Sequence, residues 1–331
     1  MTKLLREGPC VYLSGGVGGA KLALGLSSVL DPSSLMIVAN TGDDFEHLGL
    51  TICPDIDTLA YTLGGVANTD QGWGREDETD SFMSALADLG GETWFFLGDR
   101  DLATHIERSV RLASGETLTS ITAGLCSRLG VRCQILPMSD DPVRTLVNTS
   151  SGLLEFQHYF VRDRCEPRVL GFRFMGAEQA EPNAHVLRAL SDSTLRCVII
   201  GPSNPYISID PILALPGLME ALKDIKAPII AVSPIISGRA IKGPTAKMMR
   251  ELGLSVSVQQ IVKHYEGLID GIVVDTSDVS ALDIIDKDSI EVRSMRTLMS
   301  NLEDRAELAR SVLKFADYLS YKCTGALSVQ E

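Results

Sequence analysis

The chain has 331 residues, 45% of them hydrophobic and 22% charged, enough for one large or two modest globular domains with a substantial core. Its formal net charge of -13 argues against a protein that coats nucleic acid or an anionic membrane, and no apolar run reaches membrane-spanning length. The seven cysteines never fall in C-x-x-C spacing and no signal-peptide pattern precedes the first apolar run, so the expectation is a cytoplasmic protein with buried thiols.

Residues 11–14 read as a strand that runs into Gly15, Gly16, Gly18 and Gly19, with a helical pattern from Lys21 onward. Glycine lets the backbone turn sharply and lets a phosphate approach the amides that a helix start leaves unpaired. The spacing is neither G-x-G-x-x-G nor the P-loop pattern, and a tight strand-to-helix turn without a ligand would also satisfy it. A second strand, residues 35–40, ends in Asn40-Thr41-Gly42-Asp43-Asp44, and Pro54-Asp55-Ile56-Asp57 follows. Asp43, Asp44, Asp55 and Asp57 thus gather near two turns on the presumed ligand side, a pattern suited to Mg²⁺ held by carboxylates and substrate phosphates. Turn and N-cap preferences also account for Asp43 and Asp55, whereas Asp57 lies inside an apolar run.

Residues 57–63, 79–89, 103–113 and 118–129 read as helices, and 92–97 is an ambiguous apolar run. The expected organisation is a mostly helical insertion, 57–130, set into an α/β core of 9–56 and 131–331. Within the insertion Arg100 could bind phosphate or carboxylate in bidentate fashion, and His105 falls one helical turn from Asp101. A solvated helix start and a structural histidine are the competing readings.

Residues 133–137 form a third strand leading to Ser139-Asp140-Asp141. Alternation over 152–176, with Phe156, Tyr159, Phe160, Phe172 and Phe174, predicts two antiparallel strands. Strands at 197–201, 229–232 and 271–275 follow, with Ser203, Asn204 and Ser233 in the loops after two of them, and 297–318 is an amphipathic helix region. Continuous apolar strands separated by helices predict a doubly wound, mainly parallel, Rossmann-like three-layer α/β sheet with ligands at the strands' carboxyl ends.

Taken together and in this order, Ser14-Gly15-Gly16-Val17-Gly18-Gly19-Ala20-Lys21, Asn40-Thr41-Gly42-Asp43-Asp44, Cys53-Pro54-Asp55-Ile56-Asp57-Thr58, Gly72-Trp73-Gly74, Leu97-Gly98-Asp99-Arg100-Asp101-Leu102-Ala103-Thr104-His105, Leu136-Pro137-Met138-Ser139-Asp140-Asp141 and Gly201-Pro202-Ser203-Asn204-Pro205 resemble the 2-phospho-L-lactate transferase family of coenzyme F420 biosynthesis. The resemblance implies a GDP-linked three-carbon acid (phospholactate, phosphoenolpyruvate or phosphoglycerate) that gives its phospho-acid part to the ribityl hydroxyl of the deazaflavin Fo. GMP is released, and Mg²⁺ and a homodimer are implied. It places Asp57 at Fo. Around that position the expected catalytic set is Asp57, Asp44 and Arg100, with Asp43, Asp44, Asp55 and Asp57 as metal ligands. Gly15, Gly16, Gly18, Gly19, Lys21, Ser203, Asn204 and Ser233 are expected on the GDP side. Trp73, Trp94 and Phe95 could supply an aromatic wall for the deazaflavin. Family members vary just before Leu97; Phe95 and Phe96 stand here, so no charged contact to the acceptor is expected from that point. The alternative is a non-catalytic UDP-sugar-binding regulator of the same fold, whose members tend to carry Ala-Asp-Asp-Gly-Gly-Ser after the second strand. Gly42-Asp43-Asp44-Phe45-Glu46-His47 favours the transferase. A nicotinamide-dependent dehydrogenase is more remote, because G-x-G-x-x-G is missing.

Overall fold

The computed structural model describes residues 7–69, 71–240, 243–278 and 290–323. Strand β1 (Cys10–Ser14) is buried along its whole length and passes directly into helix α1 (Gly16–Val29). Strand β2 (Leu35–Ala39) leads to a short hairpin, β3 (Phe45–His47) and β4 (Leu50–Ile52). Four helices follow: α2 (Pro54–Leu63), α3 (Ser81–Asp88), α4 (Asp99–Ala113) and α5 (Leu118–Arg128). Beyond β5 (Gln134–Pro137) the chain builds an antiparallel sheet from β6 (Arg144–Thr149), β7 (Gly152–Glu155) and β8 (Val169–Met175). Next come α6 (Ala184–Leu190), β9 (Cys197–Ile200), α7 (Asp210–Leu213), α8 (Leu218–Asp224) and β10 (Ile229–Val232). The remainder comprises β11 (Ile235–Ile236), β12 (Arg239–Ala240), α9 (Thr245–Glu251), α10 (Val258–His264), β13 (Gly271–Asp275), β14 (Glu291–Met295) and α11 (Leu302–Cys323).

The main sheet has seven strands in the order β14-β13-β10-β9-β1-β2-β5, and every pairing in it is parallel. Strand order grows outward in both directions from the β1/β9 pair. The crevice outside the carboxyl ends of those strands is therefore the switch point where doubly wound sheets bind ligands. Alternate residues feed two cores. Val11, Leu13, Val198 and Ile200 face one side, packed with α6, α8, α9 and α10. Tyr12, Ile37, Cys197 and Ile199 face the other, under α1, α2, α5 and α11. The hairpin β3–β4 forms a third cluster with Met83 and Leu97. Between β2 and β5, then, α2 and α5 share the core of the sheet, and α3 packs with the hairpin.

Beyond the short hairpins β3–β4 and β11–β12 and the earlier starts of α2 and α4, the structure differs from the sequence reading as follows. The antiparallel sheet has a third strand, β6, whose alternation is masked because two of its inward residues are Thr145 and Thr149. Strand β14 is a partly exposed edge carrying Glu291 and Arg293, a composition that protects an edge and hides a strand. Helix α11 starts at Leu302, since Thr297 is tied down: its amide and hydroxyl donate to Asp275 Oδ2 at 2.8 and 3.0 Å. Among the described residues no helix is long and apolar enough to cross a membrane.

Candidate active site

The loops after β1, β2, β9 and β10 enclose a cavity of about 560 Å³. Gly16 opens α1 with φ +66°, and the N-cap residue, Gly15, has no side chain with which to cap that helix start. The first amides of α1 are therefore available to a ligand, apart from Gly16 N–H, which donates to Asp55 Oδ1 at 2.6 Å. The loop is tightly seated. Ser203 Oγ accepts from Gly15 N at 3.2 Å and donates to Gly15 O at 2.7 Å. A Cβ on Gly15 would lie 2.5 Å from Asp55 Oδ2, and one on Gly18 would lie 2.6 Å from Pro202 O. Gly19 does not line the cavity; it lets α1 close onto Ser14 and Ser203, and its carbonyl accepts from the Tyr12 hydroxyl at 2.8 Å. Lys21 lines the cavity one turn further on, with Nζ 3.4 Å from Met299 O. Asn204 and Ser233 border the same space and shape their own loops: Asn204 Oδ1 accepts from Tyr206 N, and Ser233 Oγ from Ile235 N.

Two acidic groups line the cavity. In the first, the Asn40 side-chain amide donates to Asp43 Oδ1 at 3.0 Å and to Asp55 Oδ2 at 2.9 Å. Burial, followed by the Asp55 charge, pushes the Asp43 carboxyl well above the usual range. Burial pushes Asp55 up to about 6, against the hydrogen bonds from Asn40 and Gly16. The second group begins two residues along α2. Side chains at i and i+2 diverge on a helix, so Asp57 faces α4 rather than the glycine loop. There Arg108 forks it: Nη1 donates to Oδ2 at 3.1 Å and Nη2 donates to Oδ1. Burial opposes the Arg108 charge, but Asp57 and smaller contributions from its neighbours together outweigh it and hold the guanidinium above its ordinary pKa. Arg108 Nη1 also lies 3.2 Å from His105 Nδ1, His105 Nε2 lies 3.2 Å from Asp101 Oδ2, and the Tyr61 hydroxyl donates to Asp101 Oδ1 at 2.6 Å.

Of the expected residues, Gly15, Gly16, Gly18, Lys21, Asp43, Asp55, Asp57, Ser203, Asn204 and Ser233 converge on this cavity. Asp44 and Arg100 do not. Asp44 is buried to one side of it, where desolvation pushes its carboxyl up to about 7 against the attraction of Arg144. Arg100 is half exposed and sits 3.7 Å from Asp77; on α4 it points away from the face that Asp101 and His105 share. Sequence reasoning passed over Arg108, although 101, 105 and 108 follow helical spacing, and Tyr61, which lies on α2. The far end of the cavity is aromatic. Trp73, Trp94, Phe95 and Phe96 line it, together with Phe156 and Phe160 from the stretch between β7 and β8. Trp94 rests against His47 and His158 at ring-centroid distances of 5.0 and 4.7 Å, and Phe156 stacks on Phe160 at 5.4 Å.

Residues 10–311 match the family model described as 2-phospho-L-lactate transferase CofD. The chain belongs to that family. It is 39% identical to the phosphoenolpyruvate transferase of Streptomyces griseus over 93% of this chain and 98% of that one. It is 37% identical to the 2-phospho-L-lactate transferase of Methanosarcina mazei over 92% of this chain and 99% of that one. A solved structure of a UPF0052 family member from Bacillus halodurans matches with a TM-score of 0.61, covering 94% of this chain and all of that one; at 16% identity the likeness concerns the fold alone. As a member of the family, the chain is a phospho-acid transferase of coenzyme F420 biosynthesis, and the UDP-sugar-binding regulator is set aside.

In this transferase the two acidic groups differ as cation sites. Ligand atoms of Asp57, Asp101 and His105 lie within 4.8 Å of one another, close enough for a metal ion. Arg108, however, already occupies both Asp57 oxygens and faces His105 Nδ1. Asp43 and Asp55 share the Asn40 amide, repel each other, and form no ion pair among the described residues. A hard divalent ion that takes one or two carboxylates alongside phosphate oxygens suits this pair better.

Proposed function

We propose that this transferase moves phospholactate, phosphoenolpyruvate or phosphoglycerate from a GDP-linked donor to the ribityl hydroxyl of Fo, releases GMP and requires Mg²⁺. The observation that carries this reading is the single cavity that joins an uncapped helix start to an aromatic wall. The ribityl hydroxyl gives up its proton to Asp57, its oxygen forms a bond to the phosphorus bearing the three-carbon acid, the bridging P–O bond breaks, and GMP leaves with its electron pair. Transfers of this type depend on alignment and on neutralising phosphate charge. The next amides of α1, at Val17 and Gly18, and the Lys21 ammonium would meet the donor phosphates, while Gly15 and Gly16 hold the loop against Ser203 and Asp55. The Ser203, Asn204 and Ser233 loops border the nucleoside part. Asp43 and Asp55 would hold the Mg²⁺, which when bound offsets negative charge on the donor. Asp57 accepts a hydrogen bond from the ribityl hydroxyl and so aims its oxygen. Asp44 and Arg100, which do not reach the cavity, are left out of the catalytic set.

Residues 57–130 supply the acceptor side through Asp57 and the wall of Trp73, Trp94, Phe95 and Phe96, while 9–56 and 131–331 supply the donor side. The same reading includes a cytoplasmic homodimer, as the family resemblance implies. The test is incubation of the chain with Fo, each GDP-linked donor and Mg²⁺, followed by mass analysis. One product with the mass of Fo plus the phospho-acid, formed in step with GMP, is expected. Fo left unchanged by every donor would sink the reading, as would thermal stabilisation by UDP-N-acetylglucosamine and not by GDP or Fo.

A further inference from the structure

Arg108 is, with Arg196, among the largest fully buried side chains of the described residues, and it stands behind the acidic wall without lining the cavity. Its Nη1, with two N–H groups, lies close to three acceptor atoms: Asp57 Oδ2 at 3.1 Å, His105 Nδ1 at 3.2 Å and Thr51 O at 3.3 Å. Nη2 completes the fork on Asp57 Oδ1. A guanidinium has no acceptor, so His105 Nδ1 must offer its lone pair. The ring proton then sits on Nε2, facing Asp101 Oδ2 at 3.2 Å. Asp101 Oδ1 is fixed from the other side by the Tyr61 hydroxyl at 2.6 Å. One cation therefore orients the cavity-facing carboxylate of Asp57 directly and sets the tautomer of the histidine that stands beside Asp101.

We infer that Arg108 is the positioning residue for the acceptor half of the reaction. By holding the Asp57 carboxylate in plane, it leaves only the remaining lone pairs of that carboxylate to receive the incoming hydroxyl. Lysine cannot replace it, since a point charge has no fork with which to fix a carboxylate plane. The inference rests on the reading of Asp57 as the residue that meets the acceptor. A misalignment of about 1 Å at such a position costs about 10²-fold in rate.

Three measurements on the full chain test it. In ¹⁵N-labelled protein without ligands, His105 is expected as the Nε2–H tautomer; an Nδ1–H imidazole overturns the network. Arg108→Lys, checked for folding by circular dichroism, is expected to lose about 10²-fold in kcat with little change in KM for Fo. Wild-type kcat in that variant, or a loss confined to KM, overturns the inference. Arg108→Ala is expected to regain part of its kcat on addition of guanidinium chloride and none with equal sodium chloride. A folded Arg108→Ala protein that binds Fo yet is not rescued assigns the side chain to structure alone and overturns the positioning role. If Arg108→Ala does not fold, the tautomer and the lysine variant decide. Absence of Fo turnover by the wild type would sink the proposed function, whereas a wrong tautomer or a tolerant Arg108→Lys sinks this inference by itself.

Discussion

Asp55 and Asp57 stand two residues apart on α2, yet they belong to opposite kinds of site. Asp55 turns to the glycine loop, meets Asp43 across a shared amide and has no cationic side chain within ion-pair distance among the described residues. Asp57 turns to α4 and is neutralised by a fully buried arginine. The Asp43–Asp55 pair thus lacks an ion-pair partner among the described residues, whereas Asp57 has one in Arg108. On the proposed function, this contrast would let an acidic chain handle a diphosphate donor. In the proposed reading a bound cation would offset the charge of Asp43 and Asp55, while Asp57 is held by Arg108.

The contrast is tested most severely by comparing Asp57→Asn with Asp43→Asn. Asp57→Asn leaves Arg108 buried without its partner; it should abolish turnover and lower unfolding stability by about 3–5 kcal/mol. Asp43→Asn can keep the bond from Asn40 and removes a like charge, so its metal-free stability should be unchanged or higher while its Mg²⁺-dependent activity is lost. Denaturant unfolding of both variants checks this, and equal destabilisation would erase the distinction.

A smaller effect follows from pH. The carboxyls of Asp43 and Asp55 have raised folded-state pKa values, about 6 for Asp55, so the folded chain binds more protons than the unfolded chain above the usual aspartate range. Their contribution to metal-free stability therefore falls as pH rises from about 4 through about 6. Mg²⁺ competes with those protons, so the gain in Tm on adding it should be larger near about pH 7.5 than near about pH 5. A gain independent of pH would count against Asp43 and Asp55 as the cation site.

At the aromatic end, Phe96 is 42% exposed and packs edge-on against Trp73 at 6.4 Å. Phe96→Ala should weaken Fo binding by about tenfold and leave GDP binding unchanged, as fluorescence titration and calorimetry would show. The smallest effect belongs to Arg100→Ala. Its exposed ion pair with Asp77 is worth little, so kcat should stay at the wild-type level and stability within about 0.5 kcal/mol. A large loss of kcat there would return Arg100 to the catalytic set.

Much of this arrangement can be read from the sequence, for physical reasons. The apolar runs of β1, β9, β10 and β13 are buried on both faces, so they lack alternation and announce a covered parallel sheet. The glycines after β1 are required by contacts closer than a Cβ allows, and they too stand out. The division of labour between Asp55 and Asp57 was harder to see. Their spacing shows that they diverge, but which one meets a cation depends on where α4 packs, and that is set by long-range contacts. Asp44 and Arg100 illustrate the same limit. Each sits beside a cavity residue in sequence, and one step along a turn or helix carries its side chain out of reach. Arg108 looked like an ordinary helical arginine because nothing local shows that it is buried. Strand β6 was hidden by threonines that point inward, where the alternation rule looks for apolar residues.

The most direct test is anomalous diffraction from crystals of the full chain grown with GDP and Mn²⁺. The account predicts one metal peak between the carboxylates of Asp43 and Asp55, with the diphosphate on the amides of the glycine loop. A peak on Asp57, Asp101 and His105, or a diphosphate bound away from that loop, would contradict it.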